Sequence, residues 1–364
     1  MTSELVATTV RPSPGGTPYL NSRIRAQRSS LLKASDLENY LHEPDLDSFV
    51  EHLKGGSYGP LLGKAQLTQT GIEAVSRALQ MMLSQTYFWV YEMSESRYRS
   101  LLAALATKWD IQDIKTIIRA KAAGVALSEY DSAFVGVGVS ISADNIRALA
   151  RQQTLEDVVA LALTWKLPYR QAFAQGLENY YLNDQIADFE LQLDHAYLKW
   201  ARTKFRGLGS GVRFARSVFG QEIDRLNLAT LIRLVETPGD VEEPLSYFLE
   251  GGCYLDVKKF TSLMEGKDLF ELINSLDIPE YKKALAAGYE GYLLTGHLSE
   301  FERALEAQLT RQTIEKGFGD ILGFGVALSY LTARENEVTN LNIIAHGLSR
   351  HVDPEIIRED LILV

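Results

Sequence analysis

Apolar residues recur three and four positions apart along nearly the whole chain, with polar residues between them, which is the period of amphipathic helices. Ile24, Leu31 and Leu32 keep that spacing, with arginines on the other face. Leu46, Phe49, Val50 and Leu53 form one stripe behind Pro44-Asp45, where Asp45 is placed to cap a helix and Gly55-Gly56 to end it. Long helices are predicted from about Thr70 to Glu92 and from about Glu95 to Thr107. β-Branched runs are few, so the pattern predicts an all-α fold. One run, Phe134-Val-Gly-Val-Gly-Val-Ser-Ile-Ser, alternates and by itself reads as a strand. Its later counterpart, Phe248-Leu-Glu-Gly-Gly-Cys-Tyr-Leu, breaks the alternation at Glu250. The pair therefore reads as a helix end, a glycine break and the start of a new unit.

That counterpart belongs to a larger repetition. An acid, then Asp or Asn three residues on, then spaced aliphatics and a base, occurs three times. The copies run from Asp110 through Asp113 to Arg119, from Asp224 through Asn227 to Arg233, and from Glu337 through Asn340 to His346. Their middle positions are 114 and 113 residues apart. Asp45–Leu53, Thr154–Ala162 and Asp268–Leu276 repeat in the same order, followed by Tyr58, Tyr169 and Tyr281 at steps of 111 and 112. Asp188–Thr203 and Glu300–Lys316 stand where Thr70–Glu92 stands in the first copy. A nearly constant step over the whole chain indicates one unit present three times. The predicted division is a disordered tail at 1–18, rich in Ser, Thr, Pro and Gly, then helical units at 19–138, 139–252 and 253–364. No long Pro- or Gly-rich linker separates the units, so they are expected to pack on one another.

The motif has a structural and a chemical reading. Structurally, its acid sits at a helix start and the Asp or Asn three residues later answers it, as in a loose capping box. Gly124 and Pro238-Gly239 then suit helix ends, Asp240 and Asp353 follow their motifs at one spacing, and Asp353-Pro354-Glu355 suits a new start. Chemically, the acids would be catalytic carboxylates. A catalytic site is normally single, whereas this feature occurs in every unit, and Asn227 and Asn340 replace the second acid. Polar groups that fix helix packing are the better account.

The totals narrow the function further. A chain of 364 residues is long for one core. Its net charge of −10 argues against nucleic acid, which needs a basic face. The one cysteine, Cys253, allows no internal disulfide, points to a reducing compartment and is expected to be buried as a small apolar residue. The longest uncharged apolar stretches, within 132–145 and 321–333, fall short of the roughly 18–20 residues that span a bilayer. Gly207-Leu-Gly-Ser-Gly-Val-Arg213 lacks the spacing and the βαβ setting of a nucleotide loop and reads as a helix connection. None of the six histidines lies in a metal-binding pair. Asn183-Asp184 through Glu190 only faintly resembles a metal motif of all-α terpene synthases, its last acid misplaced. No Ser or Cys is marked as a nucleophile beside a base. The four Trp and 17 Tyr are expected to pack helices. No cofactor, metal or catalytic residue is predicted.

Tyr19-Leu-Asn-Ser-Arg-Ile-Arg, Asp45-Leu-Asp-Ser-Phe, Tyr58-Gly-Pro, Asp113-Ile-Lys-Thr-Ile-Ile-Arg-Ala-Lys and Glu337-x-x-Asn-Leu-x-x-Ile with Pro354-Glu-Ile-Ile-Arg occur in this order. Residues 19–364 thereby resemble the C subunits of the V/A-type (vacuolar/archaeal-type) rotary ATPases and their eukaryotic relatives, the d subunits of the vacuolar proton pump. The resemblance implies a non-catalytic rotor part, a funnel of three similar domains with pseudo-threefold symmetry around a central cavity. It implies two partners, the membrane rotor ring and the central-stalk proteins, and a peripheral place on the cytoplasmic face of a membrane. Such a part would move torque between stalk and ring in a proton- or sodium-translocating complex. Arg119, Lys121, Arg233, His346 and Arg350 recur just after the motifs and are expected to contribute contacts at one end; the competing reading is that they offset helix dipoles. A scaffold or adaptor of another complex, and an all-α metal-dependent enzyme, are the alternatives.

Overall fold

The computed structural model describes residues 16–130, 133–236, 244–266, 268–320 and 323–364. Among these every regular element is helical. Residues 1–15 of the expected tail lie outside the described residues, as do Pro238-Gly239 and Asp240. The first helix, α1 (Gly16–Arg28), takes in the last three residues assigned to that tail. Thr17 at its start donates its backbone N–H to Glu95 Oε1 at 2.6 Å.

Three blocks of five helices follow. The first holds α2 (Ala34–Leu41), α3 (Leu46–Lys54), α4 (Gly59–Ala65), α5 (Gly71–Met93) and α6 (Ser96–Ala122). The second holds α7 (Ala143–Ala150), α8 (Leu155–Thr164), α9 (Gln171–Asn183), α10 (Ile186–Arg202) and α11 (Ser210–Glu236). The third holds α12 (Val257–Met264), α13 (Leu269–Ser275), α14 (Pro279–Thr295), α15 (Ser299–Gly319) and α16 (Gly325–Ser349), and α17 (Pro354–Glu359) ends the order. Each block reads as two short helices, a hairpin of two more, and one long helix.

The short helices start where the sequence places a cap. Asp45, Thr154 and Asp268 accept the N–H groups of Ser48, Asp157 and Glu271 at 2.8, 3.2 and 2.8 Å. Each such cap contributes about 1 kcal/mol. Asp353 does the same for α17 through the Glu355 N–H. Gly124 takes φ +68° just past α6, the left-handed turn expected of a glycine there.

The motif stands elsewhere than expected. The helix predicted to end at Thr107 continues as α6 to Ala122, and α11 and α16 are equally unbroken. The motif acids therefore sit near mid-helix, with their own backbone groups already bonded, and cap nothing in their own helix. The Phe134–Ile141 run is neither strand nor helix end. It is an irregular connection 11 residues past α6, bent where Gly136 and Gly138 take positive φ.

The hydrophobic clusters show why the long helices are amphipathic beyond the motif. Ile114, Ile117 and Ile118 of α6 are buried against α7–α10, and Leu228, Leu231 and Ile232 of α11 against α12–α15. Leu341, Ile344 and Ala345 of α16 are buried against α2–α5, at the other end of the chain. Each long helix thus completes the core of the next block, and the last completes the first. Burying a Leu or Ile contributes about 1.5–3 kcal/mol, so these stripes hold neighbouring blocks together strongly.

Gly63, Gly176 and Gly288 occupy matching places in the hairpins. A Cβ at Gly288 would lie 2.8 Å from the Phe301 Cα, whose backbone cannot yield, whereas nothing lies within 4 Å at Gly63. Gly288→Ala is expected to destabilise by about 2 kcal/mol through overpacking. Gly63→Ala is expected to stabilise by about 0.5–1 kcal/mol through helix propensity. Urea denaturation of the two variants checks the opposite signs.

Candidate functional site

The motif side chains reach out of their own helices. Asp113 Oδ1 and Oδ2 accept the N–H groups of Val135 and Gly136 at 2.8 and 2.9 Å. Asn227 accepts the Leu249 N–H and donates to the same residue's carbonyl, both at 2.9 Å. Asn340 makes the same pair with Ile362, at 3.0 and 2.9 Å. All three grip the segment 22 residues downstream, which has left its helix and has no ladder partner.

The acids grip the next stretch. Asp110 accepts from the Ile141 N–H at 3.2 Å. Asp224 accepts from Cys253, Tyr254 and Leu255 at 2.9, 3.1 and 3.0 Å. Ile141 and Leu255 each stand immediately before the N-cap of the next block's first helix. For Glu337 the same spacing points past residue 364. It accepts instead from the Leu32 N–H at 2.6 Å, and Leu32 stands immediately before the N-cap of α2. The third copy thus does for the first block what the other two do for their successors.

The three repeated tyrosines belong to the same contacts. Tyr58 donates its hydroxyl to Glu337 at 2.5 Å, and Tyr281 to Asp224 at 3.4 Å. In the remaining copy, the Tyr169 hydroxyl and Asp110 Oδ1 are both buried with no hydrogen-bond partner. Burial, and then the Asp110 charge, holds the Tyr169 hydroxyl neutral well above its usual range. Burial, then Asp113 beside it, pushes the Asp110 carboxyl well up. Burial lifts Asp113 to about 6 against the pull of its two N–H donors.

Inside the three long helices lies a cavity of about 700 Å³. Matching positions line it: Leu105, Phe219 and Thr332; Lys108, Glu222 and Glu335; Gln112, Leu226 and Thr339. Its charges are mostly paired. Lys108 meets Glu335 at 2.8 Å, Arg225 meets Glu222 at 2.7 Å, and Lys115 meets Asp194. Burial pushes the Glu222 carboxyl up, but Arg225 and then Lys108 outweigh it and leave it below its usual range. Burial raises Glu306 despite Arg225. The arrangement is a polar, charge-lined opening with no nucleophile-and-base geometry. Among the described residues no group of three or more His, Cys, Asp or Glu is placed to hold a metal.

The bases that close the motifs are placed at one end of this opening. Arg119 forms a two-point ion pair with Glu190 near the start of α10, and Arg233 pairs with Glu302 near the start of α15. His346, half-buried, is held below its usual pKa by burial and then by Arg350. The hairpin tips lie at the same end, because α10 and α15 start there. They expose matching leucines, Leu67 at 83%, Leu182 at 75% and Leu294 at 88%. Cys253 is exposed, not buried as expected, since Asp224 fixes its backbone N–H and leaves the side chain at the surface. The Gly207–Arg213 stretch is the connection into α11, as expected.

Comparison with known proteins adds to this geometry. The family model described as ATP synthase (C/AC39) subunit matches residues 20–360. The A-type ATP synthase C subunit of Methanocaldococcus jannaschii is 29% identical over 345 residues, covering 94% of this chain and 86% of its own length. That of Methanothermobacter thermautotrophicus is 26% identical over 363 residues, covering 98% and 91%. That of Methanococcoides burtonii is 28% identical over 351 residues, covering 95% and 94%.

Proposed function

Since this chain belongs to the ATP synthase (C/AC39) subunit family, we propose that it is a non-catalytic rotor part of an A-type ATP synthase, seated between the central stalk and the membrane rotor ring and transmitting torque. The observation that carries the reading is the central cavity, lined at matching positions of three long helices. Helices that present the same three positions to one space are related by a rotation about its axis. That supports three units, at 19–138, 139–252 and 253–364, arranged as a pseudo-threefold funnel. The long helix of each unit reaches into the next, so the body is closed and stiff, as torque transfer needs. The charge-lined opening suits the foot of a central stalk.

The end carrying Arg119, Lys121, Arg233, His346, Arg350 and the three leucine tips is the better candidate for the rotor ring. A ring of identical proteolipids offers the same surface at every angle, and three matching tips can meet it together. No described helix is long and apolar enough to cross a membrane, so the ring would supply the span. This reading puts the chain peripherally, on the cytoplasmic face.

Tagged chain, purified from cells with the synthase intact, is expected to bring down the proteolipid ring and the stalk proteins together. Combined charge reversal of Lys121 and Arg350 with Leu182→Asp and Leu294→Asp is expected to lower ring recovery at least tenfold while the chain stays folded. Chain recovered with neither ring nor stalk would overturn the proposed place in the synthase. Unchanged ring recovery in the variant would overturn only the assignment of the end.

A further inference from the structure

We infer that the junction between α10 and α11 is a binding site for a phosphate-bearing anion. A cavity of about 420 Å³ opens there, lined by Lys199, Arg202, Arg206 and Arg216 together with Thr203. Phe205 and Phe219, stacked on each other, form its apolar side. From 199 to 216 the chain carries six bases and no acid, within a protein of net charge −10. The matching stretches break this pattern: 85–102 holds Glu92 and Glu95 against two arginines, and 312–329 holds Glu315 and Asp320 against one lysine. The basic cluster is therefore a property of one block and not of the repeat.

The pairing of these bases differs from that in the central cavity, where Lys108, Lys115 and Arg225 each meet a carboxylate. Lys199 and Arg206 have no hydrogen bond or ion pair among the described residues, and Arg202 reaches Glu250 only at 3.5 Å. Arg216 has a positioning part. It donates to the Phe205 and Gly207 carbonyls at 2.8 and 2.7 Å and so shapes the connection that bears Arg206. Gly251 contributes by lacking a side chain, because a Cβ there would lie 3.0 Å from Arg202 Cδ. Three uncompensated cations around one concavity repel one another, and a multiply charged anion removes that repulsion. Guanidinium forks match phosphate oxygens in two-point geometry, and the neighbouring lysine adds a point charge.

The ligand's source is either a free phosphate compound or a phospholipid headgroup, and the test separates them. Full-length chain is titrated calorimetrically at low ionic strength with ATP and with inorganic phosphate, and mixed with phosphatidylglycerol vesicles for flotation. Binding by ATP or phosphate alone assigns a free ligand, and flotation alone assigns a headgroup. Either is expected to weaken about tenfold or more in Lys199→Glu/Arg206→Glu, both surface positions, and to weaken with salt. Lys121→Glu, on α6 beside the opposite end of α10, is the control and should leave binding unchanged. Thermal melts verify that each variant folds. The proposal is overturned if none of the three probes binds, if the double variant binds them as well as the parent chain, or if only poly-glutamate binds. None of the four bases lines the central cavity, so such a failure leaves the rotor reading untouched.

Discussion

Replacing Glu337 with alanine is expected to cost about 3–5 kcal/mol, the penalty for breaking a buried ion pair. Arg334 and Glu337 are 2% and 3% exposed and bonded to each other. The same carboxylate holds the Leu32 N–H and the Tyr58 hydroxyl, so one side chain ties α16 to the first block at two points. Alanine would strand a buried guanidinium whose Nε already lacks a partner. Asp224→Ala also frees buried N–H groups, but Asp224 is held by three backbone N–H groups and a tyrosine hydroxyl and not by a guanidinium, so its cost should be smaller. Urea denaturation gives the two values. Hydrogen exchange should locate the Glu337→Ala loss in residues 32–65, which part from α16 first. A Glu337→Ala variant within about 1 kcal/mol of the parent would refute the account.

The second large effect runs the other way. Asp113→Asn is expected to stabilise the protein at pH 7.5 by about 2 kcal/mol. Burial raises the Asp113 carboxyl from 3.8 to about 6. An acid whose folded pKa lies above its unfolded value weakens the fold when ionised. The cost is complete above pH 6 and fades as pH falls toward 3.8. The shift corresponds to about 3 kcal/mol at 1.36 kcal/mol per unit. Against this, asparagine offers one acceptor oxygen where the carboxylate offers two, and the lost N–H partner costs about 1 kcal/mol. Asn227 and Asn340 already show that an amide fits this place. The advantage should vanish near pH 5, where Asp113 is mostly protonated. Melting curves at pH 7.5 and pH 5 decide it, and a gain independent of pH would show that the carboxylate charge is not the cause.

The helical class and the threefold recurrence were legible because both live in short-range spacing. The caps Asp45, Thr154 and Asp268 were legible for the same reason, since a cap and its N–H are three residues apart. The setting of the motif was not. An acid followed three residues later by Asp or Asn looks the same at a helix start and at mid-helix, and the partners that tell the two apart lie 22 to 31 residues away. The repeated tyrosines could be aligned, but nothing local joined Tyr58 to Glu337, 279 positions on. The one available signal was that the spacing from Glu337 to its downstream partner points past residue 364, which leaves that acid to seek a partner elsewhere. The basic run from Lys199 to Arg216 read as an ordinary connection, because a charge pattern does not say which bases find acids in the fold.

The grip of α16 on α2–α5 has a consequence for synthesis. The first block emerges from the ribosome with its apolar face uncovered, and the surface that covers it is translated more than two hundred residues later. At roughly 5–20 residues per second, that face stays bare for ten seconds or more. The second block meets no such delay, because α6, which covers it, is made just before it. The first block is therefore where a nascent chain would need a chaperone, and where truncation near the end of the message would do harm far from the cut.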